Sequence, residues 1–283
     1  MKVPLLAPSE IVVPSALVVG GGTMGSGIAQ VLAQAGVSVT LSEVDELSSK
    51  AAFTRVSEGL AKANDDAALE RLDFIVGLPD ALSTFDLAVE AVPENAELKR
   101  KVLASIESVV APSCMIVSAT SSLSVDGLAA ALTDSTRFLG MHFFNPVPRS
   151  ALIELVVGAT TRPEVLHDAE RWSETLAKEC IVVRDSPGFA TSRLGVALGL
   201  EAIRMVEEDV ASPEDIDRGM VLGYRFPMGP LHLTDLVGLD VRLAIAEHLE
   251  STLGERFAPP ELLRSKVALG ELGKKSGQGF FKW

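Results

Sequence analysis

The chain has 283 residues, 47% of them hydrophobic and 22% charged, with 25 Lys and Arg against 38 Asp and Glu and a net charge of −13. That length exceeds the roughly 100–200 residues usual for one domain and suffices for a hydrophobic core without disulfide or metal staples. The charge argues against nucleic acid, whose phosphates need a basic face, and the two cysteines, Cys114 and Cys180, make neither a disulfide framework nor a metal site.

Both cysteines read as small buried apolar residues of a reducing compartment. The opening MKVPLLAPSEIVVPS lacks the long apolar stretch and small-residue cleavage site of a secretory signal. No window approaches the roughly 18 uninterrupted apolar residues of a membrane span, so a cytoplasmic protein without membrane partners is expected.

Residues 16–20, ALVVG, form a short apolar run ending in glycine. GGTMGSGIAQVLAQAG then switches to helical spacing, with Met24, Ile28, Leu32 and Ala35 on one face, and VSVTLSE reads as a second strand. Strand, glycine turn, helix and strand within about 30 residues is the βαβ unit of a parallel sheet. Strands are expected at FIVGL (74–78), DLAVEAV (86–92), MIVSAT (115–120), RFLGMHFF (137–144), ALIELVVG (151–158) and CIVVRD (180–185). Helices are expected at 94–109, 124–132 and 163–178.

After Asp185-Ser186-Pro187-Gly188 the pattern is helical to the end, with a loop expected at ASPEDIDRGM (211–220). Within it, Ser212, Pro213, Glu214 and Asp215 have the order of a helix start. The expected fold class is α/β: a Rossmann-type dinucleotide-binding domain over residues 1–185, then an all-α C-terminal domain over 186–283.

Gly20-Gly21-Gly22-Thr23-Met24-Gly25 fits G-x-G-x-x-G between a strand and a helix. Gly20 makes the turn, Gly22 lets the backbone approach a pyrophosphate, and Gly25 lets helix and strand pack closely, while the helix start offers N–H groups to the anion. Glu43 ends the second strand about 20 residues on, where a carboxylate accepts from ribose hydroxyls and repels a 2′-phosphate. No arginine lies in residues 41–45, which favours NAD over NADP as the expected cofactor.

Oxidising a secondary alcohol needs a base near neutrality, which suits histidine. Of the four histidines, His167 and His248 lie in polar helical sequence and His232 reads as a packing or capping residue. His142 ends an apolar strand, where α/β sites form. Glu154 stands in the apolar run ALIELVV, a costly place for an unpaired carboxylate, so a His142–Glu154 pair accounts for both. Lys99, Arg100 and Lys101 make a local positive spot suited to an anionic ligand.

VVGGGTMGSGIAQ, VEAVPENAELKRKV, SATSSLSV, MHFFNPVP, DSPGFATSRL, FPMGPLHLTDLVGLD and GKKSGQGFF, in this order, resemble the L-3-hydroxyacyl-CoA dehydrogenase family, including bacterial 3-hydroxybutyryl-CoA dehydrogenases. The resemblance covers essentially the whole chain. It implies NAD, an acyl-CoA thioester substrate and a homodimer formed through the helical domain. It also implies a base in His142, an orienting carboxylate in Glu154, a substrate-hydroxyl contact in Ser121, and Asn145 beside the His–Glu pair. Thr23 and Met24 join the cofactor-binding glycines, and Glu94 and Lys99 match the residues around the nicotinamide ribose.

Three departures bear on substrate. Ala119 and Ser192 stand where the family usually keeps asparagines, Ser192 being a shorter donor toward the substrate carbonyl. The stretch after Glu43, where animal members carry a lysine-rich CoA-gripping hairpin, has only Lys50 and Lys62. A carrier-protein thioester, a free hydroxy or sugar acid, and an inactive NADH-binding protein therefore stay open beside the short-chain acyl-CoA.

Overall fold

In the computed structural model, residues 14–78 and 84–283 are described, and the reading of the first residues as free of a signal segment lies outside them. The chain separates into two compact units, Met1–Asp185 and Ser186–Trp283. No helix among the described residues is long and apolar enough to cross a membrane.

The first unit alternates strands and helices: β1 (Ser15–Val19), α1 (Thr23–Gln34), β2 (Ser38–Glu43), α2 (Glu46–Lys62), β3 (Leu72–Val76), β4 (Leu87–Glu90), α3 (Ala96–Val109), β5 (Met115–Ser118), α4 (Val125–Ala129), β6 (Phe138–Phe143), β7 (Leu152–Val157), α5 (Pro163–Thr175) and β8 (Glu179–Arg184). The strands form one sheet in the order β3-β2-β1-β4-β5-β6-β7-β8. Its interior strands are continuous apolar runs because helices cover both faces; β4 and β5 are buried at every residue. The strand order reverses between β1 and β4, the topological switch point at which α/β sheets open a crevice beyond the strand ends.

The expected parallel sheet is corrected at one junction. Strands β1 to β6 pair in parallel, whereas β7 runs antiparallel to β6, and β8 follows β7 in parallel. The connection 144–151 is too short for a parallel crossover, which needs about a dozen residues or more, so the chain folds straight back. Strand β3 also starts earlier than expected and ends at Val76, before Gly77 at φ +73°.

Local chemistry sets the helix starts. Asp45 accepts from the Ser48 N–H at 2.7 Å to begin α2, Asn95 from the Leu98 N–H at 2.9 Å to begin α3, and Ser124 from the Gly127 N–H at 3.0 Å to begin α4. Helix α1 has Gly22 at that position and no side-chain cap.

The second unit holds α6 (Thr191–Glu207), α7 (Pro213–Tyr224), α8 (Pro230–Val237), α9 (Leu239–Leu253) and α10 (Glu261–Ala268) around Leu200, Ile203, Leu231, Leu249 and Leu263. The loop expected over 211–220 is corrected: Ser212 caps the Asp215 N–H at 3.2 Å and α7 runs from Pro213. His232 opens α8 in both expected roles. Its N–H and Nδ1 each lie 2.8 Å from the Asp217 carboxylate, and its ring stacks on Phe281 with centroids 3.6 Å apart. Cys114 is fully buried, which pushes its thiol up to about 12, whereas Cys180 is only half-buried, contrary to expectation.

Candidate active site

A cleft of about 990 Å³ opens in the first unit where the ends of β1, β4, β5 and β6 meet, and its lining includes Gly20, Gly22, Thr23, Met24, Glu43, Glu94, Lys99, Ser121, His142 and Asn145. The structure therefore gathers residues spread over more than 120 positions of sequence. Glu154 stands directly behind His142, and Gly25 packs beneath the turn. Ser192 lies in the second unit, half-buried in the first turn of α6.

The glycines divide their work. Gly20 has φ +97°, a conformation that only glycine adopts without strain. A Cβ on Gly25 would fall 1.8 Å from the Gly20 carbonyl oxygen, so this position permits the contact between α1 and the end of β1. A Cβ on Gly22 would meet nothing within 4 Å, because Gly22 faces the open cleft. An uncapped helix start beside an open glycine suits a dinucleotide pyrophosphate. Glu43 borders the same turn, with Oε1 accepting the Gly21 N–H at 2.6 Å and Oε2 the Val44 N–H at 3.1 Å. The absence of arginine from 41–45 does not leave the turn without one: Arg55 of α2 donates to the Gly21 carbonyl at 3.0 Å.

Beyond β4 lies a compact charged network. Lys99 is 1% exposed, and its Nζ donates to both Glu90 oxygens at 2.8 and 3.1 Å and to the Val92 carbonyl at 3.0 Å. It also lies 3.3 Å from Glu94 Oε2. The positive spot expected at 99–101 is thereby corrected: the Lys99 charge is neutralised inside the unit, and Lys101 pairs with Glu97 at 2.8 Å.

Glu94 Oε1 accepts from Thr120 Oγ1 at 2.6 Å, from the Ser121 and Ser122 N–H groups at 2.9 and 3.0 Å, and from both serine hydroxyls at 3.3 and 3.1 Å. Burial pushes the Glu94 carboxyl up, but the Lys99 charge and these hydrogen bonds outweigh it and hold the group below the ordinary carboxylate range. Ser121 sits exposed at the crest of the turn that Glu94 organises.

His142 and Glu154 are opposite one another in the β6–β7 register, and His142 Nδ1 lies 2.9 Å from Glu154 Oε2. Glu154 is fully buried and His142 is 6% exposed. The Phe144 ring flanks the imidazole with centroids 4.5 Å apart. The loop after β6 is held by Lys178, whose Nζ donates to the Val147 carbonyl at 2.7 Å and to that of Ser150, and this fixes the strand end carrying the exposed Asn145.

Sequence reasoning passed over Glu90, although a carboxylate closing the apolar strand LAVE is the same signal that singled out Glu154. Phe144 carried no signal of its own, since an aromatic beside a strand end reads as core. Among the described residues no cluster of His, Cys, Asp and Glu has the makings of a metal site.

Residues 15–186 match the protein family described as 3-hydroxyacyl-CoA dehydrogenase, NAD binding domain, and residues 188–283 match that family's C-terminal domain. The 3-hydroxybutyryl-CoA dehydrogenase of Mycobacterium tuberculosis is 41% identical, over 94% of this chain and 97% of its own. The mitochondrial hydroxyacyl-coenzyme A dehydrogenase of Sus scrofa is 38% identical, over 97% and 92%. Among solved structures, the (S)-3-hydroxybutyryl-CoA dehydrogenase of Ralstonia eutropha superposes with a TM-score of 0.89 at 38% identity, covering 96% of this chain and 99% of that one.

Proposed function

The chain belongs to the 3-hydroxyacyl-CoA dehydrogenase family of NAD-dependent oxidoreductases, and from that premise we propose that it interconverts a short-chain L-3-hydroxyacyl-CoA, such as 3-hydroxybutyryl-CoA, and its 3-keto form. The observation that carries the reading is the buried His142–Glu154 pair at the edge of the cleft that also holds the glycine turn.

With Nδ1–H given to Glu154, the imidazole turns the lone pair of Nε2 toward the substrate hydroxyl. His142 takes the hydroxyl proton, and the carboxylate behind it stabilises the imidazolium that forms. Ser121 meets the substrate oxygen, and Asn145 borders the same space. NAD, when bound, supplies the nicotinamide carbon that accepts the hydride from C3. Gly20, Gly22, Thr23, Met24 and Gly25 would hold its pyrophosphate, Glu43 its adenosine ribose, and Glu94, backed by the buried Lys99, the nicotinamide ribose.

In the reductive direction each step reverses, and the imidazolium returns its proton to the alkoxide. The second unit contributes the dimer contact. Leu194, Leu198, Leu236 and Val241 on α6, α8 and α9 are between 40% and 65% exposed, an apolar face that a second copy would cover. We place the enzyme in the cytoplasm, where its two free thiols stay reduced.

The test is NADH oxidation with acetoacetyl-CoA, longer 3-ketoacyl-CoAs, the pantetheine thioester and a free keto acid. Turnover is expected to be fastest with acetoacetyl-CoA, and His142→Ala to lower kcat by about 10²–10⁴-fold with NADH binding retained. Full turnover by that variant, or turnover of the free acid alone, overturns the reading.

A further inference from the structure

Glu90 has no place among the substrate or cofactor contacts, yet both of its carboxylate oxygens are engaged beneath them. It ends β4 with its side chain wholly buried. Four hydrogen bonds reach its two oxygens: two from Lys99 Nζ at 2.8 and 3.1 Å, one from the Val92 N–H at 2.8 Å and one from Ser118 Oγ at 2.5 Å. It thus ties the end of β4 to the end of β5 and to α3, the elements that bound the cleft on this side.

The network runs in one direction. Lys99 is fixed by Glu90 and Val92, and its charge faces Glu94 Oε2 at 3.3 Å. Glu94 then gathers five donors of Thr120, Ser121 and Ser122 on its other oxygen. A lysine has three protons to place, and Glu90 with Val92 occupies them, so the cation is held at a set distance from Glu94.

We propose that Glu90 is a positioning residue for the reaction: by anchoring Lys99 it fixes Glu94, and through Glu94 it fixes the turn that presents Ser121. The inference rests on Ser121 meeting the substrate oxygen. A neutral glutamine in its place has one acceptor oxygen and an NH₂ group turned toward the Lys99 ammonium and the Ser118 hydroxyl. Lys99 would then draw closer to Glu94 and compete with the serine turn for its oxygens.

The test reads the turn directly, without turnover. In Glu90→Gln, amide exchange at Ser121 and Ser122 is expected to accelerate at least tenfold while amides of β2 keep their protection. The double variant Glu90→Leu/Lys99→Leu, which removes both buried charges together, is expected to show the same selective loss and covers the case in which the single variant does not fold. In kinetics, kcat per NADH-binding site should fall about 10–100-fold in Glu90→Gln. Combined with Ser121→Ala it should fall no further than in the worse single variant.

Unchanged exchange at Ser121 and Ser122, acceleration shared equally by all strands, or additive losses with Ser121→Ala overturn the inference. An enzyme inert toward every thioester, yet with selective exchange in Glu90→Gln, refutes the proposed substrate and leaves the anchoring role intact.

Discussion

His142 and Glu154 are direct cross-strand neighbours in the antiparallel pair β6–β7, with Nδ1 and Oε2 2.9 Å apart. Residues opposed in this way point to the same face with Cβ atoms roughly 5 Å apart, so a short hairpin suffices to aim a carboxylate at an imidazole. Among the described residues, the one antiparallel pairing in the sheet is therefore the one that builds the pair.

Glu154→Gln keeps the size of the side chain but replaces the charge that selects the tautomer and stabilises imidazolium. We expect kcat to fall by about 10²–10⁴-fold, by the logic that governs an orienting carboxylate in other His-based sites. NADH affinity, measured by fluorescence titration, should stay within about threefold, because the glycine turn is untouched. Retained kcat would show that Glu154 only fills the core.

The two glycines of the turn should separate binding from folding. Gly22 has φ −63° and open space where a Cβ would go, so Gly22→Ala is expected to melt within a few degrees of the parent and to lose NADH affinity at least tenfold. Gly25→Ala drives a methyl into the Gly20 carbonyl and should lower Tm markedly. Thermal melts beside NADH titrations decide it, and equal effects of the two variants on Tm would contradict the assignment.

Glu94 predicts a pH dependence of stability. A carboxyl held below its ordinary value of 4.5 contributes stability in full above that pH and loses it as pH falls through the folded value. Glu94→Gln should therefore lower Tm near neutrality, and its Tm should fall less steeply than the parent's from about pH 5 to about pH 3. Parallel acid limbs for the two proteins would show that the group does not titrate with unfolding.

Arg242 of α9 is 4% exposed, with its Nε lacking a partner among the described residues, and burial pushes its guanidinium down to about 10. A base with a lowered folded value penalises folding below that value, and the penalty is relieved as pH rises through it. Arg242→Met, placed against Gly195 and Gly199, is expected to raise Tm by about 2–8 °C near neutrality, with the gain shrinking above about pH 10. A lower Tm at neutral pH would mean that the charge is satisfied in the assembled protein.

Much of the site is legible in sequence where chemistry is local. The turn Gly20–Gly25 is read from spacing because each glycine answers a backbone requirement within a few residues. Glu43 follows from the strand that ends there. The start of α7 is legible as Ser212-Pro213, whereas its length is not, because a capped surface helix shares its polar composition with a loop. The turn at β7 was missed because apolar runs look alike in parallel and antiparallel strands.

The length and the charge of −13 bounded the chain to a sizeable acidic protein, and they hold no information on where individual charges go. The sequence by itself determined the strand–glycine–helix turn, the acid after it and the isolated carboxylates Glu90 and Glu154 in apolar strands. Only the tertiary structure decided the partners of those carboxylates. Glu154 meets His142 through strand register, and Glu90 meets Lys99 and Ser118 across three elements. The physical reason is that burial makes a lone charge costly wherever it stands, which a sequence reveals, whereas which opposite group relieves that cost depends on distances that only the packed chain sets.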